Sequence, residues 1–231
     1  MITKDYKKIL KTILAFVTFF CFTSIIALII KLLGFDISSL PNTTKQIVSI
    51  FIYALYPAFL IFLYRKDLFT DIKKFKGKET IRKYIDISVT AYTIGVITMV
   101  VTNLILQLVL NLGVANNEEG INNLIKTLPI MMTFNACLFG PIQEELVFRK
   151  AFKDVFKNNL LFIFMSGFVF GLMHVLEFTN PLELLYIIPY GALGSAFAYI
   201  YTKTDNIWLP IILHILHNTI QVVTLLMGFG V

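Results

Sequence analysis

Glu144, Glu145, Arg149, Phe170, His174, His214 and Asn218 are the residues of this chain whose types and spacing could do chemistry. They fall into three pairs four residues apart: Glu145 with Arg149, Phe170 with His174, and His214 with Asn218. On a helix, positions four apart share a face. Glu145 and Arg149 can therefore pair and neutralise one another, while Glu144, turned by about 100°, is left free. Phe170 can wall one side of the His174 ring, and His214 and Asn218 can point at one target. A free carboxylate beside an imidazole can activate water for attack on a carbonyl. An imidazole N–H and an Asn amide can stabilise the oxyanion that forms. No Ser or Cys stands at triad spacing from a base, so a covalent nucleophile is not indicated.

The elements that must position these groups are apolar throughout. Hydrophobic residues make up 57% of the 231-residue chain and charged residues 15%, against about 25% charged in soluble domains. With 22 phenylalanines, a chain of this size cannot hide its apolar surface in a soluble core, so lipid must be its solvent. Hydropathy predicts seven spans, at 11–33, 46–64, 85–112, 128–148, 160–177, 184–202 and 207–227. Backbone groups in lipid must bond within their own segment, so each span is expected to be a helix. The fold class is all-α, a polytopic membrane helix bundle read as one domain over 1–231. Three N-terminal spans lie in 1–127 and a core in 128–227.

Ionisable residues inside a span are expensive and mark cavities or bundle interiors. Span four holds Gln143, Glu144, Glu145 and Arg149, span five His174, and span seven His214, His217 and Asn218. His217 lies outside the paired pattern and reads as a helix-to-helix hydrogen-bonding residue. Glu144 and His174 each lie fifteen residues from Asn159, where spans four and five turn, which would bring them level. The charged stretch 149–158 resists burial, so a bend at Gly140-Pro141 or an interfacial helix over 149–158 is expected. Pro189, Gly191 and Gly194 of span six should let helices approach closely. Cys21 and Cys137 read as small buried hydrophobes.

Seventeen of the twenty Lys and Arg residues fall in 1–11, 65–84, 149–158 and at Lys203. All of these lie on one side if the spans alternate. The positive-inside bias then places the N-terminus in the cytoplasm and, with seven spans, the C-terminus outside. The basic stretch 65–84 is explained by topology and anionic lipid, so no nucleic-acid partner is expected.

Glu144-Glu145-x-x-x-Arg149, Phe170-x-x-x-His174 and His214-x-x-x-Asn218 resemble, in order, the signature motifs of the type II CAAX prenyl protease and bacteriocin-processing family of intramembrane endopeptidases. The resemblance covers about the last hundred residues. It implies that Glu144 and His214 activate the water, that His174 and Asn218 form the oxyanion hole, and that Glu145, Arg149 and Phe170 support the site. The family has been described both as glutamate proteases and as metalloproteases. This chain lacks His-Glu-x-x-His, but Glu144, His174 and His214 are of the ligand types that hold zinc.

The sequence thus leads to an intramembrane peptidase acting on a peptide or membrane-protein substrate near the cytoplasmic leaflet. Its expected setting is a bacterial plasma membrane, given the Ile-, Lys- and Asn-rich composition, and its chemistry is expected to be metal-free. The alternative is a non-catalytic immunity, scaffold or transport protein that keeps the same polar cluster for binding. A transporter should show paired internal repeats, and the sequence has none.

Overall fold

The computed structural model describes residues 2–176, 178 and 180–228. Three long helices come first: α1 (Ile2–Leu32), α2 (Asn42–Ile72) and α3 (Lys78–Leu108), each of 31 residues. At 1.5 Å per residue each is roughly 46 Å long, so it overshoots a hydrocarbon layer of about 30 Å. The surplus is where the charges sit. Lys7, Lys8 and Lys11 open α1, Arg65 and Lys66 close α2, and Lys78, Arg82 and Lys83 open α3. A short amphipathic helix, α4 (Asn116–Thr127), carries Glu118 and Glu119 in its first turn.

Next comes a broken rod, α5, over 129–155, followed by α6 (Asn159–Met173). A 3₁₀ turn (Pro181–Tyr186) leads into α7 (Ile187–Thr204), and α8 (Trp208–Leu226) closes the bundle. The chain is a helical membrane bundle, with no strand among the described residues. Five segments are long and apolar enough to cross a bilayer: Tyr6–Leu32, Asn42–Ile72, Lys78–Leu108, Pro181–Thr204 and Trp208–Leu226.

The other two expected spans depart from simple crossings. The expected span 160–177 is only 15 residues of helix, roughly 22 Å, and its expected end at 177 lies outside the described residues. The expected span 128–148 is drawn out to Val155 and contains two π-helical stretches, Asn135–Phe139 and Leu146–Ala151. The charged residues from 149 onward stay helical because their charges are met inside the protein. Arg149 contacts Glu145 at 3.0 Å, and Lys150 Nζ donates to both Asp154 carboxylate oxygens at 2.9 and 3.0 Å. No separate interfacial helix forms over 149–158. The chain breaks at Phe156, in extended conformation, and restarts where the Asn158 side chain accepts from the Leu161 N–H at 3.0 Å.

Packing around α7 sets the frame of the site. α7 lies between α6 and α3, and these are the two most extensive helix pairs of the structure. Small residues allow the approach. A methyl group added to Gly167 would sit 2.0 Å from Ser195 Oγ, and one added to Gly171 would sit 2.6 Å from the Ile187 carbonyl oxygen. Across α5, rings interlock edge to face: Phe148 meets Phe16, Phe19 and Phe170 at centroid distances of 5.9, 5.2 and 5.9 Å. The turn between α7 and α8 is tied to the end of α2. The buried Asp71 carboxylate accepts from the Ile207 N–H at 3.1 Å, its carbonyl accepts from Asn206 at 3.0 Å, and Trp208 Nε1 donates to the Leu68 carbonyl at 2.9 Å.

One expectation needs correction. Cys21 is exposed on the lipid-facing side of α1 and Cys137 is only half-buried, so neither is a core residue. Cys137 packs at the edge of the cluster formed by Ile125, Met131, Met132 and Val222.

Gly171→Val should loosen the contact between α6 and α7, since overpacking costs about 1–3 kcal/mol and the neighbouring atoms are backbone. Gly120→Ala, with nothing within 4 Å, is the control. Thermal unfolding in detergent should show a lowered midpoint for the first and none for the second. Equal midpoints would mean that the close approach carries no stability.

Candidate active site

Two consecutive glutamates on α5 face different partners. Glu145 is fully buried, with its Oε1 2.8 Å from His214 Nδ1 on α8 and 3.0 Å from Arg149 Nη1 one turn along. Glu144, its side chain about a fifth exposed, has Oε2 3.8 Å from Nε2 of the same imidazole. One histidine ring is therefore held between the two carboxylates. A carboxylate can only accept, so Nδ1 of His214 carries the hydrogen given to Glu145, and Nε2 faces Glu144.

Arg149 is the anchor of this arrangement. It is fully buried, its Nη2 donates to the Gly194 carbonyl on α7 at 3.1 Å, and its guanidinium lies over the Phe170 ring at 4.3 Å and the Phe197 ring at 5.4 Å. Charge pairing, one aligned hydrogen bond and two π faces replace the hydration that a cation loses inside a bundle. Gly194 is required for the stack. A methyl group there would stand 2.9 Å from Cδ1 of Phe170.

His174 ends α6 between two rings, 4.4 Å from Phe170 and 4.6 Å from Tyr190 by centroid. Its Nδ1 donates to the Phe170 carbonyl at 2.8 Å, which leaves Nε2 of the neutral ring as an acceptor. His174 and His214 pack against the same Phe170 ring, at centroid distances of 4.4 and 5.8 Å. A water-sized space of about 10 Å³ borders His174, lined also by Asn117, Glu183 and Tyr186.

Asn218 does something that its spacing from His214 did not indicate. Its amide donates to the Ala136 carbonyl at 2.9 Å. In the π-helical stretch Gly140 donates to Asn135 five residues back. The next donor in that register would be residue 141, a proline with no N–H. Asn218 takes the place of that hydrogen. His217 is engaged elsewhere: the Gln221 amide lies 3.1 Å from its Nε2 and the Tyr92 hydroxyl on α3 3.0 Å from its Nδ1.

Among the described residues no three His, Cys, Asp or Glu side chains converge closely enough to hold a metal ion. Glu144, His174 and His214 are suitable donors by type, and the Nδ1 atoms of both rings are fixed by hydrogen bonds as in metal sites. As placed, however, they do not form a cage.

Carboxylates, imidazoles and a guanidinium are thus gathered inside a helical membrane bundle. Residues 126–220 match the family model for "Type II CAAX prenyl endopeptidase Rce1-like", and the match includes Glu144, Glu145, Arg149, Phe170, His174, His214 and Asn218. Over that segment the chain is similar to this family. Over 112 residues the chain is 31% identical to the "Putative membrane peptidase YdiL" of Bacillus subtilis (strain 168), covering 47% of this chain and 43% of that protein. Over 134 residues it is 31% identical to the "Membrane-embedded CAAX protease MroQ" of Staphylococcus aureus (strain USA300), covering 54% and 51%. The "UPF0177 protein YvdC" of Lactococcus lactis is 28% identical over 121 residues, covering 52% and 44%. The chain spans about half the length of the curated relatives it matches. No solved structure matches it.

Arg149→Met should cost about 3–5 kcal/mol, the usual penalty for leaving one charge of a buried pair alone. Adding Glu145→Gln should restore much of that loss. Thermal unfolding of the two single variants and the double variant measures the coupling. Additive losses would show that the pair does not act as a unit.

Proposed function

We propose that this protein is an intramembrane endopeptidase that hydrolyses a peptide bond with water activated by Glu144 and His214. The observation that carries this is that His214 Nε2 faces the Glu144 carboxylate, 3.8 Å away, with Nδ1 fixed on Glu145. One water can touch both acceptors. As it attacks the substrate carbonyl, its proton passes by way of Glu144 to His214 Nε2, and the imidazolium so formed gives that proton to the departing amine. Glu145 stabilises the imidazolium at that moment, and Arg149 keeps Glu145 in place.

The oxyanion needs donors. Asn218 keeps one amide hydrogen beyond the one given to Ala136. His174 has its Nδ1 hydrogen committed to Phe170, so it donates from Nε2 only as the imidazolium. The family match and the relatives named as peptidases support the class of reaction. A peptide or the end of a membrane-associated protein is the substrate class that such a buried site admits. The membrane is a bacterial plasma membrane, with the N-terminus of α1 and the basic stretch 65–84 in the cytoplasm.

Glu144→Ala and His214→Ala, purified in detergent beside the native protein, should each cut turnover of a quenched-fluorescent peptide library by about 10²–10⁴-fold while inserting normally. Near-native turnover in either variant rules out this mechanism. A strong zinc chelator run in parallel separates two chemistries: unchanged cleavage supports the glutamate route, and lost cleavage that zinc restores supports a metal. Single cysteines in 65–84 should react with an impermeant thiol reagent only after cell lysis. Labelling of intact cells would reverse the orientation.

A further inference from the structure

We propose that a cavity between α1, α2 and α5, next to Glu144, is the pocket that receives an uncharged, medium-sized side chain of the peptide substrate. The inference rests on the endopeptidase reading. The cavity has a volume of about 130 Å³, space for roughly four waters at about 30 Å³ each. That is the size class of a leucine or phenylalanine side chain.

Its walls are rigid and aromatic. Phe19 and Phe22 come from α1, and Tyr53 and Tyr56 from α2. Tyr56 is buried, its hydroxyl donates to the Ala15 carbonyl at 2.7 Å, and its ring contacts Phe22 at 5.1 Å and Phe19 at 6.2 Å. Thr23 stands at the exposed rim, and two carboxamides, Asn135 and Gln143, face in from α5. Neither carboxamide is hydrogen-bonded to a described side chain or backbone group, although both are half-buried in a membrane bundle. Unmatched amides in such a place are costly. Each offers one acceptor and two donors, which is what the C=O and N–H groups of an extended peptide require.

The position fits the chemistry. Gln143 directly precedes Glu144, so the pocket and the carboxylate occupy neighbouring faces of one short helical stretch. Gly140 joins them: a methyl group there would lie 3.1 Å from the Asn135 carbonyl oxygen and 3.6 Å from Glu144 Oε1. A backbone held by the two carboxamides passes Glu144 with one side chain lodged among the rings. No charged residue lines the cavity, so a lysine or aspartate entering it would lose its hydration without a counterion.

The test is a peptide series varied at one position, Leu, Phe, Ala, Asp and Lys. It is read as kcat/KM for the native protein and as binding to Glu144→Ala. The pocket predicts that Leu or Phe is favoured over Asp and Lys by at least about tenfold, or about 1.4 kcal/mol. Thr23→Trp, which fills the space from the exposed rim, should reduce the Leu-to-Ala ratio toward unity. Gln143→Leu should raise KM more than it lowers kcat, and provides a second reading should Thr23→Trp fail to fold. Ratios unchanged by both substitutions, with cleavage intact, overturn the pocket and leave the endopeptidase standing. If phospholipid retention falls while the ratios hold, the space belongs to a lipid tail and the proposal also fails. Selective, Thr23-dependent binding without any cleavage would sink the endopeptidase reading and keep the pocket. Absence of both across the whole series overturns both.

Discussion

A guanidinium enclosed in a helix bundle, with no exposure and no route to bulk water, constrains every element packed around it. Arg149 must find a negative partner, an acceptor and polarisable faces, and it takes them from three helices: Glu145 on its own helix, the Gly194 carbonyl on α7, and the rings of Phe170 on α6 and Phe197 on α7. Loss of Glu145 would leave the charge unmatched at a penalty of several kcal/mol. The placement of α6 against α7, permitted by Gly167, Gly171 and Gly191, therefore serves packing and electrostatics together.

Fixing Arg149 also fixes the chemistry. Glu145 is bound to arginine on one side and to His214 on the other, so it is spent as an orienting group and is not a free base. The ring of His214 is held flat by Phe197, 5.0 Å away, and edge-on by Phe170 at 5.8 Å. Nε2 is left facing Glu144, which is partly exposed and 3.8 Å away. Two neighbouring glutamates acquire different roles through their surroundings. One is locked into the core and the other is left with room for water.

The sequence carried much of this, and it lost detail where helices must be rotated against each other. Spacing of four marked Glu145 with Arg149 and Phe170 with His174, and both contacts exist, because a helix sets its own faces. Spacing did not show that Nδ1 of His214 turns to Glu145 and Nε2 to Glu144, since no periodicity encodes the angle between α5 and α8. The partner of Asn218 was hidden for a related reason. Pro141 is visible in the sequence, but the shift of α5 into π-helical register is not, and only that shift leaves the Ala136 carbonyl for Asn218 to satisfy. Gly167 and Gly171, four apart on span five, were a readable signal of close packing. Asn135 gave no signal, being one polar residue in an apolar run.

The π-helical stretches connect these observations. Each widens the helix by a residue and rotates the turns beyond it, at an enthalpic cost that helices seldom bear except near functional sites. The first lies just before Gly140-Pro141 and the second begins immediately after Glu145. Between them stand six residues of regular helix, Gly140–Glu145, which carry Gln143, Glu144 and Glu145 toward three different surroundings: the aromatic cavity, the partly exposed centre and the buried arginine. A regular helix through the same sequence would give Pro141 a different orphan carbonyl and would rotate these three side chains relative to Arg149. The irregular backbone is thus the means by which one short segment supplies a cavity wall, a partly exposed carboxylate and a core ion pair at once. Asn218, by satisfying the carbonyl that this irregularity frees, holds α8 and its histidine in register with it.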